Sequence, residues 1–260
     1  MLIRSWNLFH GNASPPRRKS YLEEMVRLAC TDRPVVLLLQ EVPAWALGRL
    51  GTWSGMTAVA DVAQRPRIGP LPIPAELGRV LTAFHPGLLR SAFAGQGNAI
   101  LLGPGMHVIV HDVLTLNSPG FRRAAARRLG LHAPGRLAWA RERRICQVVR
   151  AERDAGPALV VANLHATSSP GDTRIPKTEL DRAASFVEGL AHGGDVAVLG
   201  GDFNVAGSGA ALSGWSAPGP GIDHVLVRGA KPSAVRAWPD ERRRRGGVLL
   251  SDHAPIEVDL

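Results

Sequence analysis

Short apolar runs that end on polar, chemistry-bearing residues constrain this chain most. Nine stretches have the length and composition of buried strands: Leu2–Leu8, Val35–Leu39, Asn98–Leu102, Val108–Leu116, Ile145–Glu152, Ala158–His165, Val196–Leu199, Ile222–Val227 and Ala254–Val258. Between them lie segments of helical period. Leu22, Met25, Val26 and Ala29 fall at i, i+3, i+4 and i+7, and Leu180, Ala183, Ala184 and Val187 repeat that spacing. Phe121–Leu131 is an arginine-rich helix candidate. Arg33-Pro34 stops the first helix before Val35, and Gln64–Pro74 is a Pro/Gly-rich loop. This alternation predicts an α/β fold with helices outside its sheets. No fixed-period repeat or long linker divides the chain, so one domain over residues 1–260 is expected.

Composition removes several classes. Hydrophobic residues make up 45% of the chain and charged residues 20%, enough to bury a core and too apolar for disorder. The longest apolar run, Val35–Leu39, is far short of the ~20 residues of a spanning helix. No stable membrane association is expected. The two cysteines, Cys30 and Cys146, read as small core residues rather than a disulfide framework, which fits a reducing compartment. Met1–Phe9 is too short for an export signal and runs into polar residues. A cytoplasmic monomer is the expectation. The formal charge is +9 and is carried almost wholly by arginine, the lysines being Lys19, Lys177 and Lys231. Such a protein attracts polyanions, although net charge does not separate nucleic acid from anionic lipid.

The strand ends carry the functional signal. Asn7 follows the first run, Gln40-Glu41 the second, and Asn163 and His165 close another. Asp202 and Asn204 sit in Leu199-Gly-Gly-Asp-Phe-Asn, Asp223 in Ile-Asp-His-Val, and Asp252 and His253 in Ser-Asp-His-Ala-Pro. Ligands in α/β folds collect where strand ends converge. Carboxylates, amides and imidazoles are what phosphate-ester hydrolysis uses: hard oxygens for Mg²⁺, a carboxylate for water, donors for phosphoryl oxygens. Each residue taken alone also has a structural reading. Asn7 reads as a turn residue, Glu41 as a solvated strand end, Asp202 as an Asx-turn, His165 as a rim histidine, and Asp223 with His253 as an ion pair.

The ordered set Trp6-Asn7, Gln40-Glu41, Gly97-Asn-Ala-Ile-Leu101, Asn163-Leu-His165, Gly201-Asp-Phe-Asn204, Ile222-Asp-His224 and Ser251-Asp-His-Ala-Pro255 resembles the endonuclease/exonuclease/phosphatase superfamily over nearly the whole chain. The resemblance implies a four-layer α/β/β/α sandwich, with two mixed β-sheets packed face to face between outer helices. It implies dependence on Mg²⁺, or Mn²⁺, and phosphodiester or phosphomonoester cleavage. It also implies roles: Asn7, Glu41 and Asp252 for the metal, Asp202 for the attacking water, and Asn204 to orient Asp202 or the phosphate. His165 and His253 would donate to non-bridging oxygens, and Asp223 would hold His253.

The branch of the superfamily is set by finer features. Ala162–Pro170 is similar to the pancreatic-type deoxyribonucleases, and Ser251–Pro255 to exonuclease III and the abasic-site endonucleases. The chain departs from the latter at two points: its one tyrosine, Tyr21, lies on the first helix, and Trp215 lies well before Asp223. Two basic clusters bear on the substrate: the arginines from Arg122 to Arg144, and the run Arg242, Arg243, Arg244 and Arg245. They read as phosphate-backbone contacts or as solvated faces, with Arg143 or Arg144 placed to enter the site. Three functions follow. The leading one is an endonuclease on DNA or RNA with little sequence specificity. The second is a phosphatase or phosphodiesterase on a small molecule or lipid headgroup. The third, an inactive nucleic-acid-binding homologue, is disfavoured because Glu41, Asp202, Asn204, Asp223 and His253 are all present.

Overall fold

In the computed structural model, residues 1–84 and 90–260 are described. They group into two compact units: Met1–Met106 with Pro232–Leu260, and His107–Lys231. The first unit opens with β1 (Leu2–Asn7), β2 (Ala13–Ser14), α1 (Leu22–Ala29), β3 (Val36–Val42), α2 (Leu50–Ser54) and β4 (Thr57–Gln64). It continues with β5 (Arg67–Ile68), β6 (Leu71–Pro72), α3 (Ala75–Phe84), α4 (Arg90–Ala94) and β7 (Gln96–Leu102). The second unit holds β8 (Met106–Thr115), α5 (Pro119–Arg128), α6 (Ala133–Ala140), β9 (Ile145–Arg153), β10 (Leu159–His165), α7 (Arg174–Leu190), β11 (Val196–Asp202) and β12 (Asp223–Arg228). The chain then returns to the first unit with β13 (Ala234–Ala237), β14 (Arg244–Arg245), β15 (Val248–Leu250) and β16 (Ile256–Asp259). The fold is α/β, as expected.

The main sheet of the first unit has the order β13-β16-β1-β3-β7-β4. It is mixed: β1 runs parallel to β3 and antiparallel to β16. α1 forms because its apolar spacing supplies one continuous stripe, and Leu22, Met25, Val26 and Ala29 are all buried. Glu23 and Glu24 in its first turn and Arg27 in its last complement the helix dipole. The stripe packs with Trp6, Leu37, Leu39, Ala99 and Leu101.

The second unit has the order β12-β11-β10-β9-β8, with β10 and β11 parallel. Helix α7 lays Leu180, Ala183, Ala184 and Val187 into a core that contains Val160, Ala162, Leu164 and Leu199. Ala125, Ala126, Leu131 and Trp139 make a smaller core that joins α5 and α6.

Several elements lie outside the sequence reading. β4 carries little continuous apolar signal because most of its residues stay partly exposed. α3 and α6 contain glycine, and α6 starts with proline after Ala133, so neither shows a clean helical stripe. The segment Gln64–Pro74 includes β5 and β6, which pair as a small hairpin. Cys146 is buried, and burial pushes its thiol pKa up, so it behaves as an inert apolar group. Among the described residues no helix is long and apolar enough to cross a membrane.

Candidate active-site residues

In the first unit, the ends of β1 and β3 meet. Their parallel register sets Asn7 beside Gln40. The β3–β7 register slips between Leu39 and Val42, and Glu41 in that slip has φ 52°. A bulge of this kind turns a side chain out of the regular alternation. The Asn7 amide Nδ2 donates to Glu41 Oε1 at 3.2 Å, and His10 Nε2 lies 3.1 Å from Glu41 Oε2. Asn7 Oδ1 accepts the Phe9 N–H at 3.0 Å. Glu41 therefore has both carboxylate oxygens oriented. His10 was not anticipated, since no spacing in the sequence distinguishes it from a loop histidine; the left-handed backbone at Phe9 and His10 brings it there.

The Ser251–His253 turn is built on the same strand end. Ser251 Oγ donates to the Asn7 carbonyl at 2.7 Å and accepts the His253 N–H at 3.0 Å. Trp6 Nε1 donates to the His253 carbonyl at 2.9 Å. Ser251 is fully buried with φ 60°, while Asp252 is exposed. The hydroxyl thus fixes the two residues that follow it.

In the second unit, three neighbouring strands end in a row. The β10–β11 register pairs His165 with Asp202, and the β11–β12 register pairs Asp202 with Asp223. All three are buried. His165 Nε2 stands 3.5 Å from Asp202 Oδ2, and a carboxylate oxygen of Asp202 lies within 4.8 Å of one of Asp223. Asp202 Oδ1 accepts the Asn204 N–H at 3.0 Å, and the Asn204 Nδ2 donates to the Ala166 carbonyl at 3.0 Å. Asn204 therefore holds Asp202 through its backbone, with its own φ at 51° and its side chain tied off. Gly201 before them is required. It has φ 138°, and a Cβ there would come within 1.9 Å of the Leu164 carbonyl oxygen. His224, next to Asp223, points away: its Nε2 donates to the Val205 carbonyl at 2.8 Å, and burial lowers its pKa, so it stays neutral.

The arginines divide. Arg144 is buried, its Nη1 lies 3.0 Å from both ring nitrogens of His165, and Nη2 donates to Glu142 at 2.7 Å. Arg143 is exposed and donates to Thr115 Oγ1 at 2.9 Å. Arg243 departs from the expected phosphate contact. It is only 5% exposed, and its Nη1 donates to the carbonyls of Leu250, Ser251 and His253 at 3.0, 2.9 and 3.1 Å. Three carbonyls saturate that nitrogen, and Asp240 takes Nη2 at 2.7 Å. Arg242 also departs from it, stacked over the Trp238 ring at 3.7 Å and hydrogen-bonded to Asp32. Arg244 is exposed, and Arg245 donates to the Arg244 carbonyl at 2.7 Å.

The donor chemistry fits a divalent cation. In the first unit Glu41 and Asp252 offer hard carboxylate oxygens and Asn7 an amide oxygen, and in the second unit Asp202 and Asp223 offer carboxylate oxygens of the same kind. Comparison with known proteins agrees. No curated protein matches the chain in sequence. Its fold is found in many solved structures, among them three crystal structures. One is a functionally unknown conserved protein from Enterococcus faecalis V583, with 15% identity, TM-score 0.67, and coverage of 100% of this chain and 98% of that one. Another is truncated Caenorhabditis elegans TDP2, with 16% identity, TM-score 0.62, and coverage of 99% and 95%. The third is D. rerio TDP2 complexed with a single strand DNA product, with 11% identity, TM-score 0.60, and coverage of 99% and 97%. Such identities carry the fold alone. The sequence itself matches a family profile over residues 5–253, and enzymes of that family generally depend on a divalent metal. The chain belongs to the Endonuclease/Exonuclease/phosphatase family, whose members generally hydrolyse phosphoester bonds.

Proposed function

We propose that this protein is a Mg²⁺-dependent endonuclease that cleaves DNA or RNA phosphodiester bonds with little sequence specificity. The observation that carries the reading is the row of His165, Asp202 and Asp223 on three adjacent strands, with Asp202 clamped by the Asn204 N–H. A carboxylate held in one orientation aligns a water and accepts its proton as the oxygen attacks phosphorus, while the bond from phosphorus to the leaving sugar oxygen breaks and that oxygen takes a proton from solvent water. His165 donates to a non-bridging oxygen, and Arg144 against its ring adds positive charge where the phosphoryl group gains negative charge. His253 serves as a second donor, and Asp223 orients a catalytic imidazole. Glu41, with Asn7 and Asp252, would hold the metal, for which Mn²⁺ is a substitute. The metal would supply Lewis-acid polarisation of the phosphoryl oxygen. Asn7 and His10 keep the Glu41 carboxylate aimed for that task.

The choice of a nucleic acid over a small phosphate ester rests on the +9 charge and on the fold shared with a TDP2 crystallised with single strand DNA product. The test is nicking of supercoiled plasmid in Mg²⁺, with EDTA and Asp202→Ala as controls. Nicking should vanish in EDTA and fall by about 10²–10⁴-fold in the variant. Folded protein that leaves plasmid and RNA intact in both Mg²⁺ and Mn²⁺, while hydrolysing a small phosphate ester, would overturn the polymer reading in favour of a phosphatase.

A further inference from the structure

The second unit contains a group of arginines that its own carboxylates do not neutralise. From Ser118 to Arg141 the sequence has six arginines and no Asp or Glu. Elsewhere in the unit, Arg150 pairs with Asp195, Arg174 with Asp172 and Arg228 with Glu188. Among the described residues, Arg122, Arg123, Arg127 and Arg136 make no ion pair with a carboxylate; instead they converge on one cavity of about 250 Å³ between α5 and α6.

The cavity is a formed feature. Its floor is Trp139, whose indole is held from behind: Nε1 donates to the buried Glu179 Oε1 at 2.6 Å, and Phe121 meets the ring edge-on at 6.1 Å. Two wall arginines are steered by backbone carbonyls. Arg122 Nη1 donates to the Trp139 carbonyl at 3.4 Å, and Arg136 Nε to the Leu131 carbonyl at 2.7 Å. A carbonyl orients a guanidinium but leaves its full charge in place, so the pocket is a concave cationic cradle with an aromatic base. Helix α6 also borders a second cavity, of about 210 Å³, lined by Ala138, Arg141, Glu142, Arg144, Thr167 and Ser168. Arg144 in that cavity touches His165.

We propose that the α5–α6 arginine cradle binds a backbone phosphate of the nucleic-acid substrate away from the scissile bond. The proposal rests on the nucleic-acid reading above and adds an anchoring site to it. The planar guanidinium forks match phosphate oxygens two at a time, and the buried Trp139 keeps the cradle in shape. A polynucleotide can thread a concave pocket; the flat plane of a bilayer reaches it poorly. The cradle reads no base edges, in keeping with low sequence specificity.

The test measures binding without cleavage, by fluorescence anisotropy of a labelled single-stranded DNA on the full chain carrying Asp202→Ala. Arg123→Glu with Arg127→Glu is compared with Arg27→Glu plus Arg228→Glu, which makes the same charge change at arginines already paired with Glu23 and Glu188. The cradle pair should weaken binding about tenfold more than the control pair. Its log K against log salt plot should flatten by about 1.4, for two lost contacts at about 0.7 each. Equal weakening by both pairs would reduce the cradle to a share of the general field and overturn the proposal. The milder Arg123→Gln with Arg127→Gln, checked by circular dichroism, guards against a folding defect. Flotation with phosphatidylserine vesicles is the counter-assay: arginine-dependent vesicle binding without DNA binding would assign the cradle to a membrane surface instead. Absence of plasmid nicking with cradle-dependent DNA binding intact would remove the endonuclease reading and leave the cradle standing.

Discussion

Arg243 and Arg127 both sit in arginine runs, and the chain uses them in opposite ways. Arg243 is buried, and one of its nitrogens caps the Leu250, Ser251 and His253 carbonyls. Beside it, Arg242 lies on Trp238 and reaches Asp32. Arg127 is exposed on α5 with neighbours of the same sign. The difference lies in what surrounds each run. Around residues 242–245 the chain brings carbonyls from a tight turn, an indole and acids distant in sequence, so charge becomes structure. Around α5 and α6 it brings carbonyls and apolar side chains, and the buried acid there, Glu179, accepts from Trp139 and Thr167 instead of an arginine of the cradle, so the charge stays available. Clusters of one residue type therefore say little about use until their partners are known.

The largest effect should come from Arg243→Ala. It orphans three carbonyls and the Asp240 carboxylate, and should cost about 3–5 kcal/mol in urea unfolding. Nicking should fall too, because the turn carrying Asp252 and His253 loses its anchor. A loss below about 1 kcal/mol would break the contrast between the runs.

Glu179→Ala comes next. It leaves Trp139 Nε1 and the Thr167 N–H without their acceptor, a cost of about 1–3 kcal/mol per buried group. Glu179 also carries a pH signature. Burial raises its carboxyl above the ordinary carboxylate range, against the hydrogen bonds from Thr167 and Trp139. The folded state thus holds its proton longer than the unfolded state. The stability it contributes is full below the unfolded pKa and is lost as pH rises through the folded one. Unfolding of wild type against Glu179→Gln over that window should show the wild type losing ground as pH rises; parallel curves would contradict the assignment.

Arg242→Ala should cost about 1 kcal/mol, because its stacking on Trp238 is partly exposed. The smallest effect belongs to Arg127→Ala. Thermal unfolding should place it within about 0.5 kcal/mol of wild type, because it touches no carboxylate. A clear destabilisation would mean that the α5–α6 arginines are structural after all.

Much of the candidate site was legible because its residues end strands, and strand ends follow from hydrophobic pattern. Glu41, Asp202, Asn204 and Asp223 could be named from Gln-Glu, Gly-Asp-Phe-Asn and Ile-Asp-His at the close or start of apolar runs. The second main helix and most of the central strands followed from the same local periodicity. β4 escaped because a half-exposed strand leaves little apolar signal. His10, the Ser251 hydroxyl and the Arg144–His165 contact escaped for another reason. Each depends on a side chain meeting a group far along the chain: Ser251 reaches the carbonyl of Asn7, and Arg144 meets His165.

By itself, then, the sequence determined which residue types stand at which strand ends, because period and turn chemistry are local. The tertiary structure alone decided which cations are neutralised. Ion pairing depends on distance in space, and Arg4 finds Glu257 while Arg123 and Arg127 find no acid among the described residues.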